Sequence, residues 1–194
     1  MPMLKPKRPI VVIEPHPDDA FLSLGHHIEK IWRDREVRIV SVYSNERRGR
    51  EAGEFADAVG ASSSVIGLTE TNMAGELSRR LETSLREPLE ALSNSIVVCP
   101  IGLQHPDHLR VRNSVDEYVS KGTEVWYYLD TPYQTKQKLS EELREATTGM
   151  TVVSIAYPGA RKWRHVSIFK SQAKFFHFNP MKDLRIPETV LTRG

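Results

Sequence analysis

Disulfide cross-linking is excluded at once, because the 194 residues hold one cysteine, Cys99. A lone cysteine forms no intrachain bridge and fits a reducing compartment; its place in an apolar run reads as a buried structural thiol. Charge of one sign is equally scarce. The 27 Lys and Arg residues nearly balance the 25 Asp and Glu residues, leaving a formal charge of +2. With the two signs interleaved, the basic footprint of a nucleic-acid binder is missing. The densest basic cluster, Arg47-Arg48-Gly49-Arg50, is flanked by Glu46 and Glu51 and is too short and mixed for a polybasic tail. No apolar run approaches the roughly 18–20 residues of a membrane-spanning helix. The basic N-terminus runs into an apolar stretch that breaks at Glu14, too short for a signal-peptide core, so the expected location is the cytoplasm. Repeats, low-complexity tracts and linker-like composition shifts are also missing. One domain over residues 1–194 is therefore expected, and that length can bury a core without cross-links.

What the chain does have is alternation. Short β-branched runs cover residues 9–14, 37–43, 64–67, 95–99, 124–128 and 151–155. Amphipathic stretches lie at 20–34, 48–59, 76–93, 108–120 and, more weakly, 136–147, with a last helix expected over 162–176. This order predicts an α/β fold with a mostly parallel sheet and helices on both faces. Such sheets bind ligands beyond the carboxyl ends of their strands. The unusual residues stand there: His16 to Asp19 after the first run, Ser44 to Arg50 after the second, His105 to His108 after the fourth.

Two boxes stand out, His16-Pro17-Asp18-Asp19 and His105-Pro106-Asp107-His108. Any one such tripeptide arises by chance in roughly 2% of chains of this length, so two copies at strand ends are a strong signal. At a strand-to-helix turn, residues three apart can point the same way, so His16 and Asp19 can grip one ion while His108 supplies a third ligand. Two histidines and a carboxylate with an open fourth position form a common zinc site, although iron or cobalt suits the same ligands. Proline after each histidine stiffens the turn. Asp18 could then accept a proton from water acidified by the metal. His105 could stabilise an oxyanion and protonate a leaving amine. Asp107 could hold a histidine ring nitrogen and fix its tautomer. Against this, His-Pro-Asp also makes a good helix start, with Asp18 or Asp107 as the N-cap.

The paired boxes resemble the LmbE/PIG-L family of metal-dependent N-acetylglucosaminyl deacetylases. The likeness extends through Pro15 to Gly25, through Arg48-Gly49-Arg50-Glu51 with Ala56 and Val59-Gly60, and through Lys162-Trp163 with Ser171-Gln172. It implies a Rossmann-like three-layer sandwich. It also implies zinc held by His16, Asp19 and His108, Asp18 as general base, and His105 as acid or oxyanion stabiliser. The implied substrate is a small-molecule amino-sugar conjugate that loses its N-acetyl group. The chain departs from the family pattern at Ala20, at His26-His27 in place of two small residues, and at Leu103, where some members place a tyrosine. It is also shorter than many relatives, so loops covering the substrate could be missing or come from a second subunit of a homo-oligomer.

Other residues have two readings. Arg48 could reach substrate hydroxyls or a phosphate, or pair with Glu51 on a helix surface. Trp126 to Tyr128 reads as a buried strand, whereas Tyr133 in its loop is placed to meet a sugar. His26 and His27 read as a partly buried helix face, and His165 and His177 as surface or packing residues. Two further functional readings stay open: a zinc amidase or esterase on a non-sugar, and a non-catalytic carbohydrate- or partner-binding protein on the same fold.

Overall fold

The computed structural model describes residues 7–68, 83, 94–118, 123–131, 133, 140–172 and 186–193. Strand β1 spans Ile10–Glu14, β2 Val37–Tyr43, β3 Ser62–Leu68, β4 Ile96–Pro100, β5 Glu124–Tyr128, β6 Met150–Ala156 and β7 Glu188–Arg193. They form one sheet in the order β3-β2-β1-β4-β5-β7-β6. The first five neighbours pair in parallel, while β7 runs antiparallel to both β5 and β6. The helices are α1 (Asp19–His26), α2 (Glu46–Val59), α3 (Pro106–Tyr118) and α4 (Ser140–Thr147). Among the described residues, no helix is long and apolar enough to cross a membrane.

The β-branched runs explain the sheet's centre. β1 and β4 are buried along their whole length, as expected for parallel strands covered on both faces. Their side chains alternate between two cores. Ile10, Val12, Ile96, Val98, Trp126 and Tyr128 join Phe21, Leu24, Phe55 and Phe169 on one face. Val11, Ile13, Val97, Cys99 and Tyr127 join Val111 and Val115 on the other. Three layers result. The edge strands β3 and β6 are far more exposed.

The structure departs from the expected elements in three places. The helix expected over 20–34 stops at His26 and passes into one π turn, His27–Ile31. The cause is a charged pair inserted into the helical ladder. Glu188 accepts the backbone N–H groups of His26 and His27, each at 3.0 Å. Lys162 Nζ donates to the Leu22 carbonyl at 2.5 Å, the carbonyl that His26 would otherwise use. Side chains entering the i→i−4 ladder deform helices in this way. The helix expected over 162–176 is instead a 3₁₀ segment, Gly159–Ile168. After it, the Ser171 N–H is taken by Glu51 Oε1 at 2.9 Å, so the chain is held by α2 rather than by its own carbonyls; residues 173–176 lie outside the described set. β7 was not expected, since its short run follows no helix-length pattern. The helix expected over 76–93 also falls outside the described residues apart from Thr83, as do residues 136–139.

Candidate metal centre

The loop after β1 folds tightly because it is bonded at both ends. The Asp19 N–H donates to the His16 carbonyl at 3.0 Å, and the Leu22 N–H donates to that of Asp18 at 2.9 Å. The backbone N–H of His16 in turn donates to Asp19 Oδ2 at 2.8 Å. This places the His16 ring over the first turn of α1, with Nδ1 3.3 Å from Asp19 Oδ2. Asp18 occupies the N-cap position of α1 but makes no side-chain capping bond, so the capping role does not account for it.

The loop after β4 delivers the second set. Gln104 adopts a left-handed φ of 55°, uncommon for a residue with a side chain, and the His105 N–H closes a tight turn onto the Leu103 carbonyl. α3 then starts at Pro106, which suits a first helical position. His108 Nε2 comes within 3.3 Å of the same Asp19 oxygen. One ligand atom from each of His16, Asp19 and His108 lies within 4.8 Å of the other two.

This spacing fits a transition-metal ion. Ligands about 2.0–2.1 Å from a tetrahedral centre stand about 3.3–3.4 Å apart, and both contacts to Asp19 match. The ligand composition, two imidazoles and a carboxylate, suits zinc and its divalent neighbours. Electrostatics point the same way. Burial would push the Asp19 carboxyl up, but His108 and His16 hold it well below the usual range. Burial opposes charge on His16 and His108, yet Asp107 and Asp19 raise the first to about 9, and Asp19 and Asp130 raise the second to about 10. The cluster is thus arranged to stabilise positive charge.

The neighbouring residues fix the ligands. Asp107 Oδ2 lies 3.3 Å from His16 Nε2, leaving Nδ1 to face inward, while Arg110 holds the other Asp107 oxygen at 2.9 Å. Asp130, fully buried, stands 2.7 Å from His108 Nδ1 and is itself held by the N–H groups of Gly102 and Leu103 at 2.9 and 2.8 Å. Such partners set tautomer and ring orientation. Asp18, whose carboxyl is pushed up by burial and by Asp19, accepts from Arg48 Nη2 at 2.8 Å. Arg48 is positioned by Asn45, whose side chain caps α2 by accepting the Arg48 N–H at 3.0 Å. Arg48 therefore holds Asp18, and Glu51 instead faces Arg47 and Ser171.

His105 sits at the rim with 39% of its side chain exposed. Burial and the charges of His16 and His108 lower its pKa. Tyr133 stands beside it, its ring 6.4 Å from that of His105 and 5.5 Å from that of His108. Cys99 is buried in the sheet, and His165 is buried against Phe55; His177 lies outside the described residues.

Two buried acids beside the loops carry roles that the sequence reading did not give them. Asp130 follows β5 directly, so the strand-end rule could have found it. Glu14, wholly buried at the end of β1, accepts from Ser41 Oγ at 2.6 Å and from the Ala20 N–H at 2.8 Å. Burial pushes it up to about 8. It ties β2 to the start of α1; a charged residue closing an apolar run was the available signal.

No protein-family model matches the chain, and no curated protein matches its sequence. Solved structures do match its fold. An A40926 pseudoaglycone deacetylase aligns with a TM-score of 0.74 at 19% identity, over 95% of this chain and 96% of the other. The zinc-inhibited form of a teicoplanin deacetylase aligns at 0.72 and 16%, over 94% and 96%. The N,N'-diacetylchitobiose deacetylase of Pyrococcus horikoshii aligns at 0.53 and 18%, over 95% and 84%. The same architecture carries a different reaction in the 4-carboxy-2-hydroxymuconate hydratase of Pseudomonas putida, at 0.58 and 13%, over 88% and 82%. At these identities the likeness establishes the α/β fold.

Proposed function

We propose that the chain is an LmbE/PIG-L-type deacetylase, a metal-dependent amide hydrolase that removes the N-acetyl group from an amino-sugar conjugate. The observation that carries this reading is the pair of 3.3 Å contacts made by His16 Nδ1 and His108 Nε2 to one oxygen of Asp19. Three neighbours of the same fold are deacetylases of A40926 pseudoaglycone, teicoplanin and diacetylchitobiose, which supports an acetylated amino sugar as the substrate class. His16, Asp19 and His108 would hold the ion, zinc or a similar divalent metal. A bound ion of this kind acidifies water and polarises a carbonyl.

The remaining steps fall to the chain's own side chains. Asp18, buried beside the ligands and fixed at Oδ1 by Arg48, takes a proton from the attacking water as the carbon–oxygen bond forms. His105 at the open rim faces the carbonyl oxygen as it gains charge. The His105 Nδ1 accepts the Asp107 N–H at 3.3 Å, which leaves Nε2–H as the donor toward that oxygen. The proton that Asp18 took from water then passes to the nitrogen as the carbon–nitrogen bond breaks, releasing acetate and a free amine. Tyr133 offers an aromatic face for the sugar ring. Arg48, committed to Asp18, orients the base and stands close enough to the site to meet a sugar hydroxyl.

Purified protein offered N-acetylglucosaminyl conjugates should release acetate, lose that activity on chelation and regain it with one equivalent of zinc. Activity on simple amides and esters but not on acetylated sugars would move the assignment to a general zinc amidase or esterase. A protein that binds these sugars and one equivalent of zinc yet releases nothing would be a binding relative. Full turnover by Asp18→Ala would overturn the mechanism.

A further inference from the structure

We propose that His16 bridges two metal sites, and that the outer one, formed by His16 Nε2, Asp107 and His105, is an inhibitory site for a second zinc-like ion. This inference rests on the reading that the inner set holds an ion. One ligand atom from each of His16, His105 and Asp107 lies within 4.8 Å of the others. The His16 ring stands between two carboxylates at equal distance, Nδ1 to Asp19 and Nε2 to Asp107, both 3.3 Å. The ligand atoms of the outer set, two imidazole nitrogens and a carboxylate oxygen, have the same chemistry as those of the inner set.

The differences make the outer site weaker and easier to reach. His105 Nδ1 is 3.8 Å from Asp107 Oδ2, longer than the about 3.3 Å edge of a zinc tetrahedron, so the ring must move inward. It is free to do so at the exposed rim. Among the described residues that nitrogen accepts the long bond from the Asp107 N–H, which coordination replaces. Arg110 grips Asp107 Oδ1, keeping Oδ2 turned toward the two histidines. Coordination of His16 Nε2 requires its ring proton to leave for solvent, making the ring a bridging imidazolate. Two dications on one ring also repel. The outer ion therefore binds after the inner one and at higher concentration. When it binds, it occupies His105 and Asp107 together and withdraws the residue that faces the carbonyl oxygen.

Equilibrium dialysis against buffered zinc, with bound metal counted, tests this directly. The wild type should rise from one to two zinc ions per chain as free zinc increases, and acetate release should fall in step with the second. His105→Ala and Asp107→Asn should each keep the first ion and stop at one, the retained ion showing that each variant is folded. A wild type that stops at one ion overturns the outer site and leaves the proposed function standing. A second ion taken up equally by His105→Ala also overturns it. If neither protein binds any zinc, the inner centre fails and the outer site fails with it.

Discussion

Helix α1 has a buried polar cluster at each end, and the two are built to opposite specifications. At its N-terminus, three nitrogen and oxygen atoms of His16, Asp19 and His108 converge on one point, and His105 leaves the cluster open at the rim. At its C-terminus, Glu188 is saturated: it accepts the N–H groups of His26 and His27, meets His27 Nδ1 at 3.1 Å and pairs with Lys162 at 2.8 Å. His27 Nε2 is satisfied in turn by Ser154 at 3.0 Å. Buried charge alone therefore does not mark a site. Convergence of ligand atoms with a route to solvent does, whereas complete internal pairing marks a structural tie.

The contrast can be broken at either end. Asp18→Ala should give the largest effect, a loss of about 10²–10⁴-fold in turnover with zinc stoichiometry unchanged by dialysis. Glu188→Ala should leave Lys162 buried without a counter-charge and His27 without its partner, and cost about 3–5 kcal/mol of stability. Chemical denaturation measures that cost, and an unchanged midpoint would show that the cluster is not a tie. Asp130→Ala should weaken zinc affinity about 10–100-fold in a competition titration. A pH series sharpens the second result. Burial opposes charge on Glu188, but Lys162 and His27 hold it down at about 2, so its stabilisation is complete above the ordinary carboxylate range and lost as pH falls toward 2. The stability gap between wild type and Glu188→Gln should accordingly narrow over that acid window. The smallest effect belongs to Tyr128, whose hydroxyl is buried and makes no hydrogen bond among the described residues. Tyr128→Phe should change stability by less than about 1 kcal/mol, since it removes no bond.

The two ends of α1 also differ in how far the sequence revealed them. The loops of the candidate metal centre were legible because their residues are local: His16 and Asp19 share one turn, and His105 and His108 another. Strand–helix alternation placed both loops at the same edge of the sheet, and the mostly parallel sheet is what the fold has. Glu188 was invisible because its partners lie 161 and 162 residues away, and nothing in a helical pattern over 20–34 signals an ion pair entering the ladder. Asp130 sits 22 residues from His108, and its role exists only once β5 has paired with β4. Arg48 was read as choosing between a substrate and Glu51. The structure adds Asp18 as a partner, set by the parallel pairing of β1 and β2, which no local window contains. His26-His27, noted as a departure, is where the distant acid docks, so the departure was informative before its partner could be named.

The ladder insertion has a consequence for the order of events during synthesis. Leu22 and His26 acquire their final partners only when Lys162 and Glu188 have been made and have reached them. Until then α1 can continue as an ordinary helix past His26, and its tilt on the sheet is not yet set. Asp19, on the first turn of that helix, inherits the uncertainty. The candidate ligand set thus takes its final placement only once Lys162 and Glu188 have been made, so any ion would meet a cage already docked on the sheet rather than nucleate an emerging one.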